Sequence, residues 1–343
     1  MNNNTYTIYD IAREAGVSPA TVSKVLNNRR GVSTATARKV KNILVETGFC
    51  PKKQASYNRN IGIVMHPAAG AFLDSYTLQL VAKCYDEIMS KDYSLQFINP
   101  QYNGSDSFLK NIFHNNDHLL GIIALASHQN FDFCKQVLEH SPKFPGVVIG
   151  KLNNVPINSI PAAGNHFWAD DFSAGYQLAT LFLRLNHKRY CIVTATLQDR
   201  GHMHRLEGIK AALSLGGISG EAITVHEVKE DLCNSGNQLA MQVACSKNDY
   251  DAFIFTNGSI CAGFVVGCVN MQLRIPEQFS VAGFEDGQEL EHLPLPITAM
   301  HTPAALLASA AMNSLLAQLN GKAMPKPCMM QHRLCRRNTV CKR

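Results

Sequence analysis

From residue 60 onward one pattern recurs: short apolar runs separated by longer stretches of mixed polarity. The runs read "IGIVM", "SLQFIN", "LLGIIALA", "GVVIG", "RYCIVTA", "AITVHEV", "AFIFT" and "FSVAGF". Between them, Leu78–Met89 and Gly175–Leu185 carry apolar residues at helical spacing. Strands alternating with helices require crossover connections, and so predict parallel sheets flanked by helices. Ligands of such sheets bind in the crevice beyond the carboxyl ends of the strands. No apolar run reaches the roughly 18 residues that a membrane-spanning helix needs.

The first 60 residues follow a different rule. They hold ten Lys and Arg against three acids, a charge of +7, while the remaining 283 hold 22 bases and 23 acids, a charge of −1. A small basic unit on a near-neutral body is the electrostatic footprint of a polyanion binder. Its pattern is helical. In "TIYDIAREAG", Thr7 caps a helix, Asp10 reaches back, Ile8, Ile11, Ala12 and Ala15 form one apolar stripe, and Gly16 stops the run. Ser18 and Pro19 start a second helix about three residues later, with Val17 stapling its entry and Val22, Val25 and Leu26 facing inward. Two helices joined by so short a glycine-containing turn form a helix-turn-helix, whose second helix enters the DNA major groove. Its outer face holds Pro19, Ala20, Ser23, Lys24 and Asn27: small side chains that permit close approach, with Ser18, Thr21 and Ser23 hydroxyls for phosphates or base edges and Lys24 for guanine. Ser33 caps a third helix, in which Val40, Ile43 and Leu44 pack inward and which Gly48 ends.

These residues resemble a known family. "YDIAREAGVSPATVSKVLNN" and "VSTATARKVKNILVETGFCP" are similar to the DNA-binding headpiece of the lactose-repressor (LacI/GalR) family of bacterial transcription regulators. The likeness continues through "NIGIVMHP", "DDFSAGYQLATLFLRLNHKRYCIV", "HRLEGIKAAL", the block from "FTNGSICAG" to "PITAMHTP", and "LCRRNT". It implies a small all-α helix-turn-helix headpiece over residues 1–50, a hinge over 51–60, and a periplasmic-binding-protein-like effector domain over 61–343. That domain has two α/β subdomains, with a small sugar-like effector bound between them. The expected partners are double-stranded operator DNA and a second copy of the chain, with a tetramer left open; the expected location is the bacterial cytoplasm, and no cofactor or metal is expected. The resemblance puts DNA contacts on Thr7, Tyr9, Ser18, Pro19, Ala20, Thr21, Ser23, Lys24, Asn27, Ser33, Thr36, Lys52 and Lys53. It puts effector contacts on Phe72, Leu73, Ser127, Asp171, Arg205, Asp231, Asn257 and Glu285. Taken singly, Asp171 can instead cap a helix and Arg205 can instead pair with an acid.

The chain departs from the family pattern in five places. Glu285 stands where Asp is usual, Asn257-Gly258 where Asn-Asp is usual, and Asp231 where some members place an aromatic. In the hinge, "PKKQASYNRNIG" is about five residues short, with Asn58 in the position of an intercalating leucine. Weaker operator bending and looser coupling follow, and with them the alternative of a ligand sensor with altered DNA binding. Lys24 replaces the usual arginine and lacks its bidentate fork.

Other classes fit less well. The thirteen histidines are scattered, and no GxSxG, HExxH or phosphate-loop motif occurs, which argues against an enzyme. His202 and His204 would converge on one metal only in a strand, and their segment reads as loop-to-helix. The eleven cysteines are odd in number and lack CxxC spacing, so they read as reduced thiols, and "MNNNTYTIYD" lacks the pattern of an export signal.

Overall fold

A computed structural model describes residues 6–26, 31–47, 59–65, 75–98, 119–127, 130–140, 144–152, 165–229, 231–246, 249–323 and 328–343. The chain forms two compact units, Met1–Asn60 and Ile61–Arg343.

The first unit holds α1 (Ile8–Ala15), α2 (Pro19–Leu26) and α3 (Thr34–Thr47). Thr7 and Asp10 cap α1 reciprocally: the Asp10 amide donates to Thr7 Oγ1 at 3.3 Å, and the Thr7 amide to Asp10 Oδ2 at 3.0 Å. Gly16 leaves α1 at φ 66°, a left-handed conformation that glycine adopts without cost. The next two helices start alike, with the Thr21 amide donating to Ser18 Oγ and the Thr36 amide to Ser33 Oγ, both at 3.1 Å. Ile11, Ala12, Ala15, Val22, Val25, Val40 and Ile43 form the core, flanked by Ile8, Val17, Leu26 and Leu44. Each large apolar side chain buried there stabilises the unit by about 1.5–3 kcal/mol.

The second unit begins with β1 (Asn60–Val64), α4 (Ser75–Met89), β2 (Ser94–Ile98), β3 (Leu119–Leu125), α5 (Phe131–His140), β4 (Gly146–Ile149) and β5 (His166–Ala169). It continues through α6 (Asp171–Arg184), β6 (Tyr190–Thr194), α7 (Arg200–Leu215), β7 (Ile223–Glu227), α8 (Leu232–Cys245), β8 (Ala252–Phe255), α9 (Gly258–Asn270) and β9 (Ser280–Phe284). It closes with α10 (Gln288–Glu291), β10 (Thr298–His301), α11 (Ala304–Leu319), β11 (Cys328–Met330) and β12 (Arg333–Cys335). All eight apolar runs of the sequence are strands.

They assemble into two six-stranded sheets, in the orders β11-β5-β4-β3-β1-β2 and β12-β10-β9-β8-β6-β7. Strands of the second sheet pair in parallel, except that β12 runs antiparallel to β10. Both faces of each sheet are covered. In the first, Ile61, Ile63, Ile123 and Val147 pack against Leu80 and Cys84 of α4 and Leu307 and Leu315 of α11, while Ile122, Ala124 and Val148 pack against Phe133 and Val137 of α5. In the second, Tyr190, Ile192 and Ile254 meet α6 and α7, and Cys191, Phe253 and Phe255 meet α9.

The chain passes between the sheets three times: from β5 into α6, from β10 into α11, and from β11 into β12. Hydrogen bonds join these passages. The Asp170 amide donates to the Met330 carbonyl at 2.8 Å, and Gln331 Nε2 donates to Asp170 Oδ2 at 3.0 Å. No helix among the described residues is long and apolar enough to cross a membrane. The ten described cysteines are free thiols, and burial pushes Cys84, Cys191 and Cys268 up to about 12.

Candidate functional site

On the first unit, α2 presents a smooth outer surface. Ser18, Ala20 and Lys24 are exposed, and Pro19, Thr21 and Ser23 are half-buried. The Ser18 and Thr21 hydroxyls lie 2.9 Å apart, and those of Ser33 and Thr36 2.8 Å apart, so two helix starts each carry a hydroxyl pair beside amides not yet in the helical ladder. Such a start attracts phosphate. Lys24 reaches toward the segment before α3, its Nζ 4.0 Å from where a Cβ on Gly31 would stand. Thr7 is exposed but engaged by Asp10, and Tyr9 is 72% exposed. Asn27, Lys52, Lys53 and the hinge position Asn58 lie outside the described residues, as do Phe72 and Leu73.

In the second unit, Asp171, Arg205, Asn257 and Glu285 come together although 114 positions separate the first from the last. Two glycines make the meeting possible. A Cβ on Gly175 of α6 would collide with the Arg205 carbonyl, and one on Gly208 of α7 with the Phe172 carbonyl. The two helices therefore approach at backbone contact, and Arg205 lies against the first turn of α6. Asp170 caps that helix, accepting from the Ser173 amide at 3.1 Å, which leaves Asp171 to face Arg205.

Arg205 is a buried junction. Its Nε donates to Asp171 Oδ1 at 2.8 Å, and its Nη1 to Glu285 Oε1 at 2.6 Å and to the Thr256 carbonyl at 2.8 Å. The guanidinium carbon lies 4.7 Å from the centre of the Phe284 ring. Hydrogen bonds to described residues thus engage Nε and Nη1, and none engages Nη2. Glu285 Oε2 accepts from Asn257 Nδ2 at 3.0 Å and from the Gly258 amide at 3.2 Å, while Asn257 Oδ1 caps α9 through the Ile260 amide at 3.1 Å. The two departures at 258 and 285 fit one another: a Cβ on Gly258 would lie 3.3 Å from Glu285 Cβ and 3.0 Å from the Phe284 carbonyl. Glu285 itself stands at φ 61°, a conformation that costs energy for a residue with a side chain.

Charge keeps the cluster ionised. Burial alone would raise the Asp171 carboxyl, but Arg205 and His332 outweigh it and hold it down at about 2. Glu285 is likewise lowered, against its burial, by Arg205 and His202. All four residues are at most 9% exposed, and the set carries two carboxylates against one guanidinium.

Ser127 and Asp231 are not part of this cluster in any described contact. The Ser127 amide donates to Asn130 Oδ1 at 2.8 Å, and its buried hydroxyl has no hydrogen-bond partner among the described residues. Asp231 is exposed and caps α8, accepting from the Asn234 amide at 3.4 Å.

Sequence reasoning missed three contributors. His332, fully buried, sits 3.3 Å from Asp171 Oδ1 through Nε2 and 3.3 Å from Thr302 Oγ1 through Nδ1, so one side chain touches all three passages between the sheets. His202 Nδ1 lies 3.2 Å from the Thr256 carbonyl. Lys151, just beyond β4 in the first sheet, reaches His204 of α7, with 2.8 Å between Nζ and Nδ1. His202 and His204 therefore turn to different neighbours. No local pattern marks these contacts, because each is made by segments far apart in the chain.

The family model "Bacterial regulatory proteins, lacI family" matches residues 7–52, and "Periplasmic binding protein-like domain" matches residues 179–340. The chain is 25% identical over 338 residues to the ribose operon repressor of Escherichia coli K12, covering 96% of each chain. It is 24% identical over 347 residues to the HTH-type transcriptional repressor PurR of Vibrio vulnificus, covering 98% of this chain and 99% of that one. Its fold is similar to the lac repressor dimer bound to operator and the anti-inducer ONPF, with TM-score 0.67 and 21% identity over 98% of this chain and 100% of that one. With a helix-turn-helix unit that matches the lacI-family model ahead of two sheets joined by three passages, the chain is similar over nearly its whole length to these repressors, and is a LacI-type DNA-binding transcriptional regulator.

Proposed function

We propose that this protein is a repressor whose body binds a small polar effector at the Arg205 cluster and whose first unit reads operator DNA as part of a homodimer. The carrying observation is the state of Arg205. Two of its nitrogens are fixed by Asp171, Glu285 and Thr256, and Nη2 is left to donate to a ligand hydroxyl. A guanidinium held in this way loses little freedom when ligand arrives, so its hydrogen bond is orienting as well as strong. Asp171 at the first passage and His332 at the third tie the same cluster to the segments about which the two halves would rotate. Ligand that binds one arrangement better shifts the population toward it by the difference in affinity, and thereby the spacing of the headpieces in the dimer.

On the DNA side, Ser18, Thr21, Ser33 and Thr36 hold phosphates, while Ala20, Ser23 and Lys24 face base edges. Thr7, Tyr9, Pro19, Asn27, Lys52 and Lys53 complete that surface. Phe72, Leu73, Ser127 and Asp231 are the further effector contacts of this reading. It assigns the protein no catalytic role and places it in the cytoplasm. A gel-retardation assay on the DNA upstream of its own gene is the test. Retention at low salt, falling steeply as salt rises, is expected. Of a panel of sugars, sugar acids, polyols and nucleobases, at least one compound should alter retention of the wild type but not of Arg205→Met. Absence of retention at low salt overturns the reading.

A further inference from the structure

The two halves of the body are fastened at their hinge and also away from it. The segments that pass between the sheets carry the contacts of Asp170, Asp171, Gln331 and His332. Lys151 and His204 belong to none of those segments. Lys151 follows β4 in the first sheet, and His204 stands in the second turn of α7, on the second sheet. Lys151 Nζ and His204 Nδ1 lie 2.8 Å apart. Contacts within the passages turn with the hinge, whereas this one breaks when the halves part.

The contact tolerates only one protonation state of the ring. An ammonium offers donors alone, so the imidazole must accept through an unprotonated Nδ1. No carboxylate among the described residues lies within 4 Å of the ammonium. A protonated ring has no lone pair to offer, and the contact becomes two cations at hydrogen-bonding distance in a half-buried place, where their repulsion is weakly screened.

The charged groups that face His204 are Lys151 from beyond β4, Arg200 and Glu207 from α7 itself, and Asp171 from the start of α6. Asp171 is engaged by Arg205 and His332, and Arg200 by Met203, while Glu207 is exposed. Asp170, which attracts Lys151, is engaged by the Ser173 amide and Gln331, and His202 turns to the Thr256 carbonyl. Burial, and after it Lys151, holds the proton affinity of His204 below its ordinary 6.5, against Glu207 and Asp171. A group lowered in this way stabilises the closed arrangement fully above its ordinary value, and that contribution disappears as pH falls through the lowered one.

Resting on the reading of the body as two halves whose rotation sets the spacing of the headpieces, we infer that Lys151 and His204 form an acid-sensitive latch: protonation of His204 releases it, the halves part, and operator binding thereby responds to pH. The headpiece has no such sensor of its own. None of the thirteen histidines lies among residues 1–60, and histidine is the side chain that ordinarily titrates in this range.

The full chain tests this at pH 7.5 and pH 5.5. His204→Asn keeps an acceptor near the position of Nδ1 that takes up no proton, so the latch should hold at both values. His204→Lys places a permanent cation there, so the latch should be open at both. In small-angle scattering the wild type should have a larger radius of gyration at pH 5.5 than at pH 7.5, His204→Asn the smaller radius at both, and His204→Lys the larger at both. Retention of the DNA upstream of its own gene should change by about fivefold or more between the two pH values for the wild type and for neither variant. In proton NMR, the His204 ring signal, identified by its absence from His204→Asn, should titrate below 6.5, and Lys151→Met should move its midpoint upward. That last measurement needs no His204→Lys protein and decides the contact even where that variant does not fold. A wild-type radius indifferent to pH, a His204→Asn radius that responds as the wild type does, or a His204 midpoint indifferent to Lys151→Met each overturn the inference. A chain that binds DNA with a radius indifferent to pH loses the latch alone; a chain that retains no DNA loses the repressor reading, while scattering still decides the latch.

Discussion

The helix that starts at Pro19 and the helix that starts at Asp171 are both opened by a short polar cap, and the surroundings turn those caps to opposite ends. Ser18 caps α2 in the open, with its hydroxyl, that of Thr21 and the first-turn amides beside solvent. Asp170 caps α6, but the next residue is roofed by α7, which the two glycines bring to backbone contact. There the carboxylate is locked to a guanidinium before any ligand arrives. A surface that must slide along and dissociate from a polyanion keeps its polar groups solvated. A site that must distinguish one small molecule from another fixes them in advance.

The largest test of this contrast is Arg205→Met. It strands two buried carboxylates and should destabilise the body by about 3–5 kcal/mol, read from the urea unfolding of the body. The unfolding of the headpiece should not change. Acid gives a smaller effect on the same region. The folded-state value of Asp171, about 2, lies below its ordinary 3.8, so its contribution is complete above about pH 4 and disappears as pH falls through about 2. The body should lose thermal stability across that window, and Asp171→Asn should flatten the curve. On the open helix, Lys24→Ala should weaken operator binding by about 1–3 kcal/mol and relax discrimination if Lys24 reads guanine; a uniform loss across sequences would make it a phosphate contact. Smallest is Ser18→Ala, which removes one exposed cap and should lower headpiece stability by about 1 kcal/mol, measured by thermal unfolding of the full chain followed at α-helical signals. If Ser18→Ala rivalled Arg205→Met, the contrast between the two helix starts would fail.

How much of this is legible in the sequence depends on how local the signal is. Six of the eight apolar runs declare themselves because strands buried on both faces need no polar alternation; β2 and β7, at the sheet edges, are partly exposed. β5, with the sequence "HFWA", and β10, with "TAMH", are short and carry polar or aromatic residues, so nothing in their periodicity marks them as strands. β11 and β12 are three residues each, too short to carry a period. Asp171, Asn257 and Glu285 stand out because strand ends and helix starts are where such folds bind ligands, whereas Arg205, inside α7, stands out only through the family resemblance. The alternatives for two of them turn out to be compatible with a site: Arg205 does pair with acids, and a neighbouring Asp caps the helix. His332 and Lys151 acquire meaning only through partners 161 positions and 53 positions away.

The last strands have a consequence for how the protein comes into being. β11 and β12 are separated by only Gln331 and His332, yet each completes the edge of a different sheet, one beside β5 and the other beside β10. Synthesis runs from the amino terminus, so β5 and β10 stand as the outermost strands on that side of their sheets until β11 and β12 have left the ribosome. A nascent or prematurely terminated chain then exposes β5 and β10, four residues each, in place of the three-residue strands that cover them, as templates for pairing with other chains. A frameshift or stop codon shortly before Cys328 would thus produce an aggregation-prone body attached to an intact headpiece.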